Sequence, residues 1–159
     1  MTQHEMTRLF YAHVWPLRAD VLRTAQYFAR DLAEADDLAQ ETLVKAYRSI
    51  ASFDVSTRAV AWLNAILRNT HIDRARARKR EARDVSLDAH LLDLEDRRPT
   101  STETDHANSA AILEQLGDQR LIDALHDLPD EIRWTLLLVD VEQLDHAEAA
   151  VVTEVPVGT

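Results

Sequence analysis

The sequence predicts an all-α fold, and three observations support this prediction. The 159-residue chain has two glycines and four prolines, so it offers few of the tight turns that a sheet of short strands requires. Alanine, leucine, arginine and glutamate, which favour helices, are abundant. Apolar residues recur three and four positions apart over most of the chain, a period typical of helices with one buried face. With 46% apolar residues, the chain can form one or two small helical cores.

Three helices are predicted in the first half of the chain. The first covers residues 7–29, and we expect Pro16 to kink or break it because proline removes a backbone donor. The second covers residues 32–50 and carries acidic residues near its N-terminal end, where they suit the helix dipole. A short loop over residues 51–57 leads to a third helix over residues 58–80, whose apolar stripe is formed by Trp62, Leu63, Ile66, Leu67 and Ile72.

The helical period disappears after the third helix and returns near the C-terminal end. Residues 84–108 are rich in Asp, Glu, Ser and Thr, a composition typical of a flexible linker. A helix is then predicted over residues 110–126. A second is predicted from Pro129 to about Val141, because a proline followed by acids in the first turn favours a helix start. A last, short helix is predicted over residues 146–153.

These elements predict two small helical domains joined by an acidic linker. The domains cover residues 1–83 and 109–159, and the linker covers residues 84–108. The formal net charge of -10 hides an uneven distribution. Residues 1–84 hold 14 Lys and Arg against 11 Asp and Glu, whereas residues 85–159 hold 4 against 17. The first domain is therefore slightly basic, and the rest of the chain is strongly acidic.

Enzyme and membrane functions are disfavoured. The chain has no cysteine, so it forms neither a disulfide nor a thiolate metal site. Its seven histidines are scattered, and it contains neither an HExxH motif nor a phosphate-binding glycine loop. We therefore predict a protein that is not an enzyme, with no catalytic residue, metal site or cofactor. Nothing resembles a signal peptide or a membrane-spanning run of about 20 apolar residues, so we expect no membrane insertion and a location in the cytoplasm.

Two charged helical motifs carry the functional information. Residues 36–48 are acidic at their start and read DDLAQETLVKAYR. Residues 61–80 begin with AWLNAILRN and end in the basic run RARARKR. Between Arg58 and Arg83 the chain holds eight basic residues against two acidic ones. This stretch is a local basic patch on an acidic protein, and such a patch favours contact with nucleic acid.

In their order and spacing these motifs resemble the group IV, or extracytoplasmic-function, sigma factors of bacterial RNA polymerase, within the sigma-70 family. Residues 36–48 are similar to the family's polymerase-binding helix, and residues 62–80 are similar to its promoter-melting helix. Residues 128–138 and 149–159 resemble the start of its C-terminal helix-turn-helix domain. The resemblance covers nearly the whole chain. It implies a transcription initiation factor that binds core RNA polymerase, directs it to promoters, and recognises and melts the minus-10 element.

The resemblance implies that the acidic motif docks on a coiled coil of the large polymerase subunit. Carboxylates and amides at helical spacing can accept hydrogen bonds from arginines on such a partner. The residues that match this role are Asp36, Asp37, Gln40, Glu41 and Lys45. Judged from the residues alone, acids at the start of a helix can equally be partners of the helix dipole on a solvated face.

The resemblance also implies that the basic motif and the loop before it bind promoter DNA. The matching residues are Ser52, Phe53, Arg68, Asn69, Arg74, Arg76, Arg78, Lys79 and Arg80. The cations of the basic run would contact phosphates, which fixes register without reading sequence. Ser52, Phe53 and Asn69 would hold a base flipped out of the non-template strand of the minus-10 element, since such a base needs an apolar wall and polar groups for its edge. The alternatives are a core position for Phe53, a plain surface position for Asn69 and a solvated arginine-rich helix end. Trp62 is expected in the core.

The C-terminal part departs from the family pattern in two ways. The recognition helix that would follow Gly158 and Thr159 is absent from this chain, and Thr153-Glu154 stands where the family has a helix-ending glycine. We therefore expect a partial domain, truncated before the recognition helix, with direct minus-35 reading in doubt. The main alternative function is a sigma-like regulatory protein that binds polymerase or an anti-sigma partner without productive initiation. A helix-turn-helix repressor is disfavoured, and an anti-sigma factor is a possible partner of either form.

Overall fold

The computed structural model describes residues 1–88 and 119–158. Every regular element in these two ranges is helical, which confirms the all-α prediction. None of these helices is long and apolar enough to cross a lipid bilayer. The seven α-helices found there are α1 (Gln3–Leu9), α2 (Arg18–Gln26), α3 (Leu32–Ser49), α4 (Ala59–Asp88), α5 (Gln119–His126), α6 (Asp130–Leu136) and α7 (His146–Thr153).

The first predicted helix is divided at Pro16, as expected. After α1, a π-helical turn (Phe10–Val14) and a 3-10 turn (Trp15–Leu17) lead into α2. Proline has no N–H to donate and its ring clashes with the carbonyl four residues earlier, so the α-helical ladder does not continue through it. α1 begins before the predicted start because Thr2 and Glu5 form a capping box.

α3 lies close to its predicted bounds, whereas α4 is longer than predicted. Asp31 caps α3, because its side chain accepts a hydrogen bond of 2.8 Å from the backbone N–H of Glu34. α4 runs for 30 residues to Asp88, since no glycine or proline interrupts it. The first residues of the predicted linker are therefore helical. Residues 89–108 of that linker, and the predicted helix from 110 as far as residue 118, lie outside the described residues.

The predictions for the C-terminal helices were nearly correct. Pro129 is the residue before α6 and not its first residue, and a π-helical turn (Leu137–Val141) completes the segment predicted as one helix. α7 has its predicted bounds and begins with a capping box between Asp145 and Glu148. Glu154 ends α7 at a φ of 56°, a left-handed conformation that glycine adopts more easily.

Side chains from both predicted domains meet in one apolar core. The Phe28 ring stacks on Trp134, with centroids 4.0 Å apart and planes 18° apart. Arg133 lies over the Phe28 ring at 5.2 Å and donates a hydrogen bond of 3.2 Å to the carbonyl of Tyr27. The most deeply buried apolar side chains come from both described ranges: Val14, Leu38, Ile50, Leu63, Leu67, Leu137 and Leu138. The predicted domain boundaries at residues 83 and 109 stay predictions.

Candidate functional site

The acidic motif lies on α3 and divides into an open part and a paired part. Asp37 and Gln40 are exposed and Asp36 is half-buried. Gln40 donates a hydrogen bond of 2.8 Å from Nε2 to Oδ2 of Asp36. Glu41 instead pairs with a cation of the same chain, because its Oε1 lies 3.1 Å from Nζ of Lys45. The open carboxylates and amide of the predicted polymerase-binding set are therefore at the N-terminal end of the motif.

Two of the predicted DNA-binding arginines on α4 face α3. Nε of Arg74 lies 3.1 Å from Oε2 of Glu41, and Arg78 forms an ion pair with Glu34. Lys45 also approaches Asp73 of α4 at 3.8 Å. These contacts join the two helices by charge as well as by apolar packing. Less of the charge of the basic run is therefore free for DNA than the sequence alone indicates.

Glu34 is the most strongly perturbed carboxyl among these groups. Burial would raise its pKa, but hydrogen bonds from the backbone and the side chain of Arg30, together with Arg78, outweigh burial and lower the pKa to about 2. The two hydrogen bonds from Arg30 measure 2.8 Å and 3.1 Å. A carboxylate held by three donors stays ionised at neutral pH. Glu34 is therefore an ionised partner for Arg78 at neutral pH.

This pKa predicts how stability depends on pH. The folded pKa of Glu34 lies below the unfolded value of 4.5, so its contribution is present above pH 4.5 and is lost as the pH falls towards 2. We expect a loss of about 1–2 kcal/mol over this interval after allowing for solvent screening. Urea unfolding of the wild type and Glu34→Gln across the interval measures it, with the exposed Glu81→Gln as control. Identical pH dependence of the wild type and Glu34→Gln would contradict the assignment.

The remaining cations of α4 form an open stripe, here called the basic stripe: Arg76, Lys79, Arg80 and Arg83. Their spacing of three, four and seven residues places them on one helix face, and all four are exposed. None of them pairs with an acid among the residues that the structure describes, although Asp73 lies at the end of the shallow groove that they line. Arg83 was missing from the predicted DNA-binding set, and its helical spacing from Arg76 is the signal that could have found it.

The predicted base-reading residues are not equally available. Asn69 is exposed and its amide makes no hydrogen bond with another described residue. Ser52 is exposed and its hydroxyl donates a hydrogen bond of 2.7 Å to the carbonyl of Ser49. Phe53 is only 7% exposed, and its ring packs between Trp62 and His13, with centroids at 4.9 Å and 5.7 Å.

Two of the predicted site residues are less open to DNA than the sequence indicates, and their roles stay predictions. Because neighbouring side chains cover the Phe53 ring, its burial favours the core alternative over an exposed ring on which a base could stack. Arg68 is half-buried and lines a cavity of about 540 Å³ together with Trp134, Val139 and His146. Its side chain therefore faces the C-terminal helices and lies off the face of the basic stripe, because the step of eight residues from it to Arg76 rotates it by about 80° around α4.

Comparisons with known proteins agree with the resemblance of the motifs. Residues 16–81 match the model of the Sigma-70 region 2 family. The probable RNA polymerase sigma-C factor of Mycobacterium bovis is 34% identical over 155 residues, which cover 96% of this chain and 75% of the relative. The extracytoplasmic-function (ECF) RNA polymerase sigma factor EcfG of Rhodopseudomonas palustris is 33% identical over 150 residues, which cover 90% of this chain and 76% of that relative.

A solved structure shares the fold across most of the chain. The sigma factor RpoE, in complex with the anti-sigma factor NepR from Bartonella quintana, superposes with a TM-score of 0.65 at 25% identity. The match covers 90% of this chain and 82% of the other. The fold and the sequence matches therefore define a bacterial sigma factor of the sigma-70 family.

Within that family, the chain belongs to the extracytoplasmic-function group. It is a transcription initiation factor, and its relatives are sigma factors, which are not enzymes. Nothing in these comparisons favours the alternative of a sigma-like protein without productive initiation.

Proposed function

We propose that α3 and α4 divide the two binding tasks of this sigma factor. The open end of the acidic motif, at Asp36, Asp37 and Gln40, docks on core RNA polymerase. The basic stripe of α4 holds the phosphates of promoter DNA. The observation that carries this proposal is the pairing between the two helices, because it removes Glu41, Lys45, Arg74 and Arg78 from the free charges and leaves one open acidic end and one open basic stripe.

Reading of the minus-10 element is assigned to the exposed surface beside the basic stripe. Asn69 precedes Arg76 by seven residues on α4, so the two lie on one helix face. Its free amide can both donate to and accept from the edge of an unpaired base. Ser52 offers a hydroxyl from the preceding loop. Phe53 would contribute to this site through its packing under the loop, since its ring contacts Trp62 in the core.

An anti-sigma factor is the second proposed partner. The solved relative is bound to such a protein, and its match includes 90% of this chain. The proposal is that a partner of the same class binds this chain.

Asp37→Arg tests the polymerase contact. We expect its affinity for core polymerase to fall about tenfold or more, because a cation would then face the arginines that the carboxylate contacted. Titration of a fluorescently labelled chain with core polymerase measures the effect. Asp127→Arg is the matched control, since Asp127 is also exposed and undergoes the same charge change. An unchanged affinity for Asp37→Arg, with an intact helical spectrum, would remove the docking assignment.

Asn69→Ala tests the reading of the minus-10 element separately from polymerase binding. We expect the variant to bind core polymerase normally and to form open complexes about tenfold less well, since one or two hydrogen bonds to the base edge are lost. Permanganate reactivity of unpaired thymines at a mapped promoter measures opening. Normal opening by Asn69→Ala would leave Asn69 a plain surface residue, as the alternative interpretation of the sequence holds.

A further inference from the structure

The N-terminal helical region exposes two aromatic rings that neither proposed binding surface uses. Over residues 1–88 and 119–158, Tyr11 and Trp15 are the most exposed of the Phe, Tyr and Trp side chains, at 56% and 40%. Their ring centroids lie 5.6 Å apart. A cluster of exposed apolar side chains indicates a binding surface more often than a single one does.

A π-helical turn places the two rings on the outside of the fold. In the turn Phe10–Val14, Phe10 and Val14 enter the core and are 7% and 0% exposed. Tyr11 and Trp15, each one residue later, face solvent instead. The Tyr11 ring stands at 89° to the ring of Phe10, with centroids 5.8 Å apart, so a core residue supports it. Turns of this kind are rare and recur at functional sites.

Arg18 adds a cation to the two rings. Its guanidinium carbon lies 5.0 Å from the centroid of the Trp15 ring, and its Nη1 donates a hydrogen bond of 3.0 Å to the carbonyl of Trp15. Arg18 is exposed and has no acidic partner within residues 1–88 and 119–158. Residues 10–19 contain no acid, in a chain with a net charge of -10. Rings beside a free cation are typical of surfaces that bind single-stranded nucleic acid.

This cluster of Tyr11, Trp15 and Arg18, here called the aromatic platform, is connected to the proposed base-reading surface by ring contacts. Trp62 and Asn69 lie seven residues apart on α4 and therefore on one helix face. The Phe53 ring packs on Trp62 at 4.9 Å, and the His13 ring packs on Phe53 at 5.7 Å. His13 belongs to the same π-helical turn as Tyr11. An unpaired strand held at Asn69 can therefore reach the platform along this line of rings.

We propose that the aromatic platform stacks an unpaired base of the melted promoter strand. This inference rests on the proposed reading of the minus-10 element beside Asn69. The rings can stack on any base and Arg18 can pair with a neighbouring phosphate, so the contact holds the strand without reading its sequence. Bases in a closed duplex are already stacked and paired. The platform therefore binds opened DNA alone and shifts the equilibrium towards the open complex.

Holoenzyme binding to two fluorescein-labelled versions of one promoter fragment tests the platform. One version is fully paired and kept closed at low temperature, and the other has a mismatched, permanently unpaired minus-10 region. We expect Tyr11→Ala and Trp15→Ala each to bind the unpaired version about tenfold more weakly than wild type, with unchanged affinity for the paired version. Unchanged affinity of both variants for the unpaired version, or an equal loss on both versions, overturns the platform.

Two control variants accompany this measurement. Tyr11→Phe keeps the ring and removes the hydroxyl, so its affinity for the unpaired version should stay close to that of wild type. Leu121→Ala removes apolar surface from α5, where Leu121 is 49% exposed, and should also leave the affinity unchanged. A loss in Leu121→Ala as large as that in Trp15→Ala would show a general effect of lost apolar surface and contradict stacking at the platform.

Two further measurements separate the platform from other roles. Titration of the labelled chain with core polymerase should give wild-type affinity for Trp15→Ala, and a tenfold loss there would make the surface a polymerase contact and overturn the proposal. Asn69→Ala is measured on the same unpaired fragment. If it loses affinity while both ring variants do not, the platform is wrong and the proposed function stands. If only the ring variants lose affinity, the platform stands and the reading by Asn69 is wrong.

Discussion

Holoenzyme in which Arg76, Lys79, Arg80 and Arg83 are all replaced by alanine should bind promoter DNA on the order of a hundredfold more weakly than wild type. Each of these cations is exposed on one face of α4, and each phosphate contact that is lost also reduces the counterions released on binding. The slope of log affinity against log salt should therefore become shallower by about 3.5. Alanine has the highest helix propensity, so α4 itself should persist.

Salt titrations of holoenzyme on a fluorescent promoter fragment measure both quantities. A matched comparison uses two double variants. Arg76→Ala with Lys79→Ala removes two cations of the stripe. Arg8→Ala with Arg48→Ala removes two cations that are also exposed but lie away from the stripe. The stripe pair should lower the affinity on all DNA sequences equally, because phosphate contacts carry no base information. Equal effects of the two pairs, or a loss confined to one DNA sequence, would contradict the stripe as a phosphate-binding surface.

Trp134→Ala should lower the free energy of unfolding by about 3–5 kcal/mol, as expected when a large aromatic side chain is removed from a close-packed core. Trp134 is 2% exposed and stacks on Phe28 at 4.0 Å. It therefore joins α6 to the turn that follows α2. Since the two predicted domains share this core, we expect a single cooperative unfolding transition in urea. Circular dichroism should show that its midpoint lies at a lower urea concentration for Trp134→Ala than for wild type.

Trp15→Ala provides a control for this experiment. Trp15 is 40% exposed, although its ring lies 5.6 Å from that of Tyr11 and under the guanidinium of Arg18. Removing it should cost about 1 kcal/mol. A comparable loss for both tryptophans would contradict the deep burial of Trp134. If hydrogen exchange in Trp134→Ala became faster only in α6 and α7, while α2 to α4 kept their wild-type rates, the two halves would have independent cores.

Much of the local structure could be predicted from the sequence, because helix propensity, capping residues and apolar period are properties of short stretches. α7 has the predicted bounds since Asp145 and Glu148 form a capping box that can be recognised in the sequence. The break at Pro16 follows from its missing N–H. α4 exceeds its predicted end because the prediction stopped where apolar residues became scarce, whereas helix propensity continues to Asp88.

The candidate site was predicted as a list of residues, and the packing of helices then divided that list. Arg74 and Arg76 look alike in the basic run, yet Arg74 is paired with Glu41 and Arg76 is open. The helical period shows that they lie on different faces, but it does not show which face meets α3. Phe53 likewise has the same aromatic ring in a core or at a binding site, and its contact with Trp62 arises only when the loop packs on α4.

Composition and periodicity were sufficient for the all-α class, the helix order and the two charged motifs that resemble an ECF sigma factor. The free basic stripe and the attachment of the C-terminal helices to the N-terminal ones depend on contacts between residues far apart in the chain, such as Arg23 with Glu142. Such pairs leave no spacing pattern in a single sequence. The contribution of such a pair to stability depends on its burial and on the distance between its charged atoms, and both are fixed only when the helices have packed.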